Sequence, residues 1–557
     1  MGSNIKYIAM MKPFFFLILL LQVASLVAQP NFYKKIKMKE EAIMRGKNSI
    51  LRTCFDVTYY QLDLHVDMDK HTIDGSCSMA YKCLKNSKQI QLDLFQNLKV
   101  DSIIDTKNRK TVTFVQKDQT LFVNQTIVAN APNGNLKIYY QGKPNTARNA
   151  PWDGGFVWKQ TNSKQNWLGV ACQGLGARVW WPCKDQSYDE PDSVKVNVSC
   201  SDTTLTCVAN GVLKGITYKN KHKIFNWSVS NPINTYCVTL NIAPYIHYYD
   251  YYTAADGSKL KCNYWVLPEN LEKAKTQFKQ VHEVLRVNEK YLDKYPFWND
   301  QYSIVETAYL GMEHQGAVAY GNKYMNGYLG IQPPGVDFDF IIIHESGHEW
   351  FGNSISAYDN AELWIHESFT TYLESVYVEE HYGYKKAVEY INFFKKNVAN
   401  KMPMIGPMDV AFNDHDVDIY YKGALMLNTL RHSIDNDSLW WQLFKGFYKQ
   451  HSRQIIKGKD YETTVQKFTN YDYSGFLNQY LNYAKIPTLE LRLRNETLEF
   501  KWSSADAPNL KFPMHLTIQG RKSKITPTTQ WQKLATKAHK DEIILPQDLF
   551  YIEVKWL

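Results

Sequence analysis

The chain has 557 residues, of which 44% are hydrophobic and 14% aromatic, enough to bury the cores of several domains. Its net charge of +9 arises from 64 basic and 55 acidic side chains without a long basic run. The chain therefore has the solvated surface of a folded protein and lacks the basic surface of a nucleic-acid-binding protein.

The N-terminus has the pattern of an export signal. Lys12 precedes an apolar run from Phe14 to Leu21 that continues to Val27, and Ala28 ends a small-residue pattern of the kind that signal peptidase cleaves. Because the run is short and is followed by polar and basic residues, we interpret residues 1–28 as a signal peptide. The mature protein would then be exported, periplasmic or extracellular, with no stable membrane insertion. An uncleaved N-terminal membrane anchor is the alternative.

Residues 50–265 are predicted to form a β-rich domain. Hydrophobic and polar residues alternate strictly from Tyr60 to Met68, and the alternation recurs from Ile90 to Leu94. This period is typical of half-buried strands.

All nine cysteines lie between Cys54 and Cys262. Export permits disulfides, and the sequence spacing makes two local pairings candidates, Cys77 with Cys83 and Cys200 with Cys207. An odd number of cysteines leaves at least one unpaired within the chain.

The spacing of hydrophobic residues changes after Pro268. Hydrophobic residues then recur at helical spacing, which predicts a mainly helical domain over residues 266–484. Past Pro487 strict alternation returns, so residues 487–557 are predicted to form a small β-sandwich-like domain.

The helical region contains a metal-binding pattern, His-Glu-Ser-Gly-His at residues 344–348. Positions i and i+4 lie above one another on a helix, so His344 and His348 can bind one ion. Glu367 follows after eighteen intervening residues as a third, anionic ligand. Two imidazoles and a carboxylate leave the fourth position of a tetrahedral zinc ion open, which is the catalytic pattern, and Glu345 lies beside them as a base.

A second helix is predicted to carry Glu367. Asp359 and Glu362 have the spacing of a helix start, and apolar positions then recur to Gly383. Glu367 would lie about two turns into this helix, which can fold back antiparallel on the first. Glu374, seven residues further on the same face, suits a hydrogen-bond partner for a ligand imidazole.

Three segments together resemble the zinc aminopeptidases of the aminopeptidase N type. They are Gly-Met-Glu-His at residues 311–314, the metal motif continued to Asn353, and Leu-Trp-Ile-His-Glu-Ser-Phe at residues 363–369. The family includes a bifunctional leukotriene-forming epoxide hydrolase and aminopeptidase. The resemblance implies a multidomain α+β fold with a saddle-like N-terminal β domain, a thermolysin-like, mainly helical catalytic domain and a C-terminal β-sandwich-like domain. The family's large C-terminal helical domain has no room here.

The resemblance also implies substrate-binding residues. Glu313 matches the carboxylate that binds the α-amino group of the substrate, and Gly311 and Met312 complete its motif. His314 stands where the family usually has an asparagine. This position bears on recognition of the substrate backbone. Gln173, in Cys-Gln-Gly-Leu-Gly-Ala-Arg at residues 172–178, matches a residue that helps to hold the amine or the first carbonyl.

Tyr420 matches the catalytic tyrosine of the family, because it precedes Lys422 and Gly423 in a Tyr-x-Lys-Gly segment. A phenol can donate a hydrogen bond to the oxyanion that forms during hydrolysis. Tyr421 is the competing candidate, and only the spacing favours Tyr420.

The sequence therefore predicts an exported zinc aminopeptidase with one Zn²⁺ per chain, acting on peptides with a free amino terminus. Two other classes stay open, a thermolysin-type endopeptidase that has no amine anchor and a non-catalytic peptide-binding protein. An additional epoxide hydrolase activity follows only from the resemblance.

Overall fold

The computed structural model describes residues 32–33, 36–219, 221–503, 506–507 and 509–557. The predicted signal peptide, residues 1–28, lies outside the described residues. Residues 39–557 form one compact unit. Within the described ranges, no helix is long and apolar enough to cross a membrane.

The first half of the compact unit consists mainly of strands, as the alternation predicts. Two short helices, α1 (Glu40–Gly46) and α2 (Ile50–Thr53), precede them. The strands are β1 Phe55–Asp67, β2 Thr72–Cys83, β3 Ile90–Asp93, β4 Leu98–Asp105, β5 Lys110–Thr111, β6 Phe114–Lys117, β7 Thr120–Val123, β8 Gly134–Gly142, β9 Gly155–Gln160, β10 Asn166–Ala171, β11 Ser193–Cys200, β12 Thr206–Ala209, β13 Val212–Lys219, β14 His222–Val229, β15 Leu240–Ala243, β16 Ile246–Thr253 and β17 Lys259–Val266. The largest sheet has the order β13-β14-β11-β1-β2-β8-β4-β5, in which only β1 and β11 run parallel.

The two predicted strands differ in burial. β1 alternates between buried and partly exposed residues and confirms the half-buried pattern. β3 is buried on both faces, because the polar side of Asp93 is covered by Arg52, whose guanidinium donates to the carboxylate at 2.6 and 2.7 Å. A charge paired in this way can be buried, so alternation alone overestimated the exposure of β3.

The strand placement excludes one of the two candidate disulfides. Cys77 and Cys83 both lie on β2, six residues apart, which corresponds to about 20 Å along a strand. That pairing is therefore wrong. Cys200 ends β11 and Cys207 lies in β12, and their pairing stays a prediction.

Strands β16 and β17 belong to a different sheet from their predicted neighbours. β17 pairs in parallel with β18 (Tyr302–Glu306). Their sheet has the order β16-β17-β18-β20-β19 and includes β19 (Gly311–Met312) and β20 (Val318–Tyr320) from the region that follows. Alternation does not reveal which sheet a strand joins, so the sequence placed both in the first domain. We propose a boundary near residue 245 instead of 265.

The catalytic region contains strands β18 Tyr302–Glu306, β19 Gly311–Met312, β20 Val318–Tyr320, β21 Ile355–Ala357 and β22 Gln454–Ile456. Its helices are α3 Leu271–Gln277, α4 Gln280–Tyr291, α5 Phe340–Gly347, α6 Trp364–Tyr382, α7 Tyr384–Phe393, α8 Tyr421–Ile434, α9 Asp437–His451, α10 Gly458–Thr469 and α11 Ser474–Asn482. Helices α4 and α6 both pack against α5.

The helix that carries Glu367 begins later than predicted. Asp359 caps a short 3₁₀ turn, Asn360–Glu362, and α6 begins only at Trp364. Glu367 therefore lies in the first turn of α6 and not two turns into it. Its carboxylate is thus held at the start of a rigid helix.

The chain ends in strands, β23 Thr488–Arg494, β24 Thr497–Trp502, β25 Met514–Ile518, β26 Arg521–Ile525, β27 Gln532–Ala535, β28 Ile543–Ile544 and β29 Glu553–Trp556. They form two sheets, of order β27-β24-β23-β29 and β26-β25-β28, which confirms the expected C-terminal β region. Leu491 and Phe500 belong to the same hydrophobic core as the catalytic helices, so this region packs directly on them.

Candidate zinc and peptide site

The predicted metal motif lies at the C-terminal end of the buried helix α5, and His348 is its C-cap residue. The helix begins at the side chain of Asp339, which accepts hydrogen bonds from the backbone N–H groups of Ile341 and Ile342, as an N-cap does. Residues 341–343 are buried in the core. A methyl group on Gly347 would lie 3.1 Å from Thr370, so glycine lets α6 approach α5 closely at this point.

The three predicted ligands converge on one point. Nε2 of His344 and Nε2 of His348 are 3.2 Å apart. Oε2 of Glu367 lies 3.6 Å from the first and 3.3 Å from the second. Ligand atoms around a tetrahedral zinc ion are separated by about 3.3 Å at ordinary Zn–N and Zn–O distances. The spacing of these three atoms therefore fits zinc.

The hydrogen bonds of the imidazoles explain why a cation belongs there. Nδ1 of His348 lies 2.9 Å from the carbonyl oxygen of Phe351, which can only accept a hydrogen bond. Nδ1 of His344 lies 2.7 Å from Oε1 of Glu374. If both Nδ1 atoms carry the proton, both Nε2 atoms present lone pairs to each other and to a carboxylate. Such an arrangement favours a cation between them.

Glu374 is itself held in place. Its second oxygen, Oε2, accepts a hydrogen bond from the hydroxyl of Tyr390 on α7 at 2.7 Å, and its side chain is fully buried. A carboxylate that orients a ligand imidazole also raises the basicity of that imidazole. The structure thus brings Glu374 to the place that the sequence predicted.

The second oxygen of Glu367, Oε1, faces away from the imidazoles. It accepts hydrogen bonds from the hydroxyl of Tyr420 at 3.0 Å and from Nε2 of Gln173 at 3.1 Å. Burial opposes ionisation, but the imidazoles of His348 and His344 outweigh it and lower the pKa of Glu367 below its usual value. Glu367 is therefore a carboxylate with one oxygen held and the other directed at the ligand cluster.

Glu313 lies in the same cavity. Its Oε1 accepts hydrogen bonds from Tyr236 at 3.2 Å and from Gln173 at 3.3 Å. The ligand atoms of Glu313, Glu345 and His348 all lie within 4.8 Å of one another. In a peptide, the α-nitrogen and the first carbonyl carbon are only roughly 2.5 Å apart. A carboxylate this close to the metal ligands can hold the amino terminus while the first peptide bond lies at the ion.

Glu345 borders the cavity next to Gly311. A methyl group on Gly311 would lie 2.6 Å from Oε1 of Glu345 and 2.9 Å from Ile341, so a larger residue would displace the carboxylate. Burial raises the pKa of Glu345 to about 7, while the imidazoles of His344 and His348 act in the opposite direction.

Two of the predicted substrate-binding residues do not line the cavity. Met312 is buried in a small apolar cluster with Val157 and Tyr309. His314 is fully buried, neither ring nitrogen has a hydrogen-bond partner among the described residues, and burial lowers its pKa to about 3. Met312 and His314, the neighbours of Glu313 in the chain, therefore lie in the core and not at the cavity.

The cavity above the ligands has a volume of about 190 Å³. Its polar groups are the site residues described above, together with Thr371. The rest of its wall is apolar or aromatic and is formed by Pro151, Trp152, Leu310, Tyr328, Phe340, Ile341, Val417 and Tyr421. A cavity of this size accommodates one or two residues of an extended peptide with apolar side chains.

Three functional positions were not identified from the sequence. Tyr236 holds Glu313, Tyr390 holds Glu374, and Nδ2 of Asn353 donates to the backbone carbonyl of Glu313 at 3.0 Å. Asn353 ends the metal motif, and this position could have drawn attention to it. The two tyrosines carry no such signal in a chain that has 38 of them.

Two family descriptions match the chain. Residues 57–237 match the peptidase M1 N-terminal domain, and residues 276–480 match the peptidase family M1 domain. Both the N-terminal β region and the catalytic region are thus covered.

Curated relatives include a probable aminopeptidase 2 of Sulfurisphaera tokodaii, 21% identical over 82% of this chain and 59% of that protein. Leukotriene A-4 hydrolase of Xenopus laevis is 21% identical over 82% of this chain and 77% of its own. Leucine aminopeptidase 2 of Vanderwaltozyma polyspora is 25% identical over 58% of this chain and 47% of its own. The chain thus spans less than two thirds of the first and third relatives.

Among solved structures, an M1 zinc metallopeptidase from Deinococcus radiodurans superimposes with a TM-score of 0.64 at 19% identity, covering 78% of this chain and 94% of that chain. A mutant of that enzyme bound to a Tyr-Ser-Ala substrate gives the same TM-score and covers 95% of its chain. At this identity the likeness shows the fold.

The contact between Glu374 and His344 predicts a loss of metal affinity in Glu374→Gln. Removing the charge behind the imidazole is expected to weaken zinc binding about 10- to 100-fold, measured by competition with a chromophoric chelator. Glu389→Gln, the same change at an exposed surface position of α7 that pairs with Lys386, is the control and should leave affinity unchanged. Equal affinity in Glu374→Gln and wild type would contradict the assignment.

Proposed function

The chain belongs to peptidase family M1, and from this premise we propose that it is a zinc aminopeptidase that hydrolyses the first peptide bond of peptides with a free amino terminus. The observation that carries the proposal is the position of Glu313 beside the metal ligands. A site with the ligands alone would cleave peptides internally, whereas a carboxylate at this distance selects the terminal residue.

The proposed ligands of the ion are His344, His348 and Glu367. A zinc ion held there supplies a Lewis acid that polarises a carbonyl group and lowers the pKa of a water molecule. The Nδ1 contacts of both imidazoles support this assignment, because they direct the Nε2 lone pairs into the cavity.

Glu345 is proposed as the general base and acid. Its carboxylate borders the cavity beside the proposed ligands. It is not one of the three groups, His344, His348 and Glu367, that are proposed to bind the ion. It would accept a proton from the attacking water and return it to the departing amine. General acid–base catalysis of this kind contributes about 10²- to 10⁴-fold to the rate.

Tyr420 is proposed to stabilise the oxyanion. Burial, together with the carboxylates of Glu367 and Glu313, raises its pKa well above the usual value, so the phenol keeps its proton. The hydroxyl donates to Glu367 at 3.0 Å and can turn to a negatively charged substrate oxygen in the same cavity.

Glu313 is proposed to bind the substrate ammonium. Gln173 and Tyr236 both donate to its Oε1 and therefore fix the carboxylate without neutralising it. Since Gln173 has no charge, the attraction for a cation comes from Glu313. Acetylation of the amino terminus would remove the positive charge and add bulk, so acetylated peptides should be poor substrates.

A peptide library distinguishes the proposed activity from its two rivals. Zinc-loaded protein is incubated with peptides that have free amino termini and with acetylated copies, and the products are identified by mass spectrometry. We expect stepwise release of N-terminal residues from the free peptides only. Internal cleavage of acetylated peptides would indicate an endopeptidase, and no cleavage by a zinc-replete protein would indicate a binding protein.

Two substitutions test the proposed roles of Glu345 and Glu313 with the same peptide library. Glu345→Gln should retain zinc but lose about 10²- to 10⁴-fold in kcat. Glu313→Gln should retain zinc and lose at least about 30-fold in kcat/KM on free peptides, because a buried charge pair with the ammonium is lost. Its discrimination against acetylated peptides should shrink as well.

Tyr420→Phe should lower kcat by about 10²- to 10³-fold with little change in zinc content, since a donor to the oxyanion is removed. Tyr421→Phe provides a matched control, because the adjacent ring also lines the cavity but stacks on Phe394. Steady-state kinetics on an aminoacyl reporter substrate measures both. An equal loss in the two variants would exclude a specific role for Tyr420.

We also propose export through residues 1–28, supported by the sequence pattern of that segment. The mature protein should then begin at Gln29, because cleavage follows Ala28. Intact-mass analysis of the protein recovered from the exported fraction measures this. A mass that includes residues 1–28 would instead support the membrane-anchor alternative.

A further inference from the structure

A second group of metal-ligating side chains lies where the edge of the five-stranded sheet meets α4. Asp250 on β16 and Cys262 on β17 are direct cross-strand partners, so their side chains lie on the same face of the sheet. His282 lies in the first turn of α4, the helix that covers this face. Three different elements thus deliver a carboxylate, a thiol and an imidazole to one place.

We propose that Asp250, Cys262 and His282 bind a divalent metal ion of the zinc class, separate from the ion of the peptidase site. Their potential ligand atoms all lie within 4.8 Å of one another. Nε2 of His282 is 3.0 Å from Oδ1 of Asp250.

The chemistry of the three donors favours zinc over hard cations. A thiolate and an imidazole are preferred by Zn²⁺ and its borderline neighbours, whereas Mg²⁺ and Ca²⁺ require oxygen ligands. Water can supply the fourth ligand, because the side chains of Asp250 and His282 are 49% and 34% exposed. The site is therefore open on the side where an ion would enter.

The buried side of the site is formed by Cys262. Its thiol makes a long contact, 3.8 Å, to the backbone carbonyl of Leu260. Burial raises the pKa of the thiol to about 12, so an entering ion must displace the proton, as zinc does at other cysteine ligands. The hydroxyl of Tyr264 donates to Oδ1 of Asp250 at 3.0 Å and orients that carboxylate.

A surface ion pair between His282 and Asp250 is the simpler interpretation of the same contact. Asp250 is also a charge on the helix-facing side of an edge strand, a feature that discourages pairing with other chains. Neither explanation requires a thiol at the cross-strand position. Cys262 beneath the pair supplies the thiol that a metal site uses and that a pair of charges does not need.

An ion at this position would connect β16 and β17 to α4. Helix α4 packs against α5, which carries the peptidase ligands. The expected role is structural, since the ion would hold the sheet edge to the helix layer behind the catalytic helix. The proposal is independent of the peptidase activity.

Cobalt titration tests the proposal, because a thiolate bound to Co²⁺ gives a near-ultraviolet charge-transfer band that a site of two imidazoles and a carboxylate cannot give. Metal-free, reduced full-length protein is titrated with Co²⁺. We expect this band to saturate at one equivalent per chain, with two equivalents bound in total. The band should be lost in Cys262→Ser and strongly reduced in His282→Gln.

Cys83→Ser is the matched control, because Cys83 is the only cysteine of the described chain that is not fully buried and is the most accessible to adventitious metal. The band should survive this substitution. If Cys262→Ser does not fold, His282→Gln, which changes a partly exposed side chain, provides the test. A wild-type protein without the band, a band that persists in Cys262→Ser or His282→Gln, or a band lost in Cys83→Ser would overturn the proposal.

Discussion

Three electron-pair donors meet in the buried space between α5 and α6, and their mutual repulsion is the constraint on which the catalytic region depends. Nε2 of His344, Nε2 of His348 and Oε2 of Glu367 lie 3.2 to 3.6 Å apart. The groups behind them, Glu374 and the carbonyl of Phe351, can accept a hydrogen bond from the Nδ1 side of each ring, which leaves the Nε2 lone pairs free for an ion. The fold therefore supplies the geometry in advance, and a cation removes the repulsion that the geometry creates.

The same cavity concentrates further negative charge. Glu313 and Glu345 lie with Glu367 around a single space, and burial raises the pKa of the first two. Like charges at such distances are costly in a medium of low dielectric constant unless positive partners are present. A divalent ion and a substrate ammonium are the two partners that would balance this set. The electrostatics of the cavity thus support the proposed selection for a free amino terminus, as its shape does.

The sequence predicted the parts of the site that depend on local spacing. His344 and His348 are one helical turn apart, and Glu374 lies on the same helix as Glu367, so periodicity sufficed. Tyr236 could not be found in this way, because its contact with Glu313 joins residues 77 positions apart and has no local motif. The sheet to which β16 and β17 belong could not be predicted for a related reason. Alternation reports that one face of a strand is buried, but the partner strand is decided by packing at long range.

The groups proposed for catalysis and those proposed to set the direction of cleavage come from different parts of the chain. The proposed ligands and base lie on α5, at its C-cap residue His348 and on α6, within residues 344–367 of the helical region. The groups that fix Glu313 are mostly delivered by the N-terminal β region, since Gln173 follows β10 and Tyr236 precedes β15. Removing the hydroxyl of Tyr236 would leave the proposed ligands and base in place but would free the Glu313 carboxylate, which is proposed to bind the amino terminus. The β region is therefore the part of the molecule that would make a general zinc hydrolase into an exopeptidase.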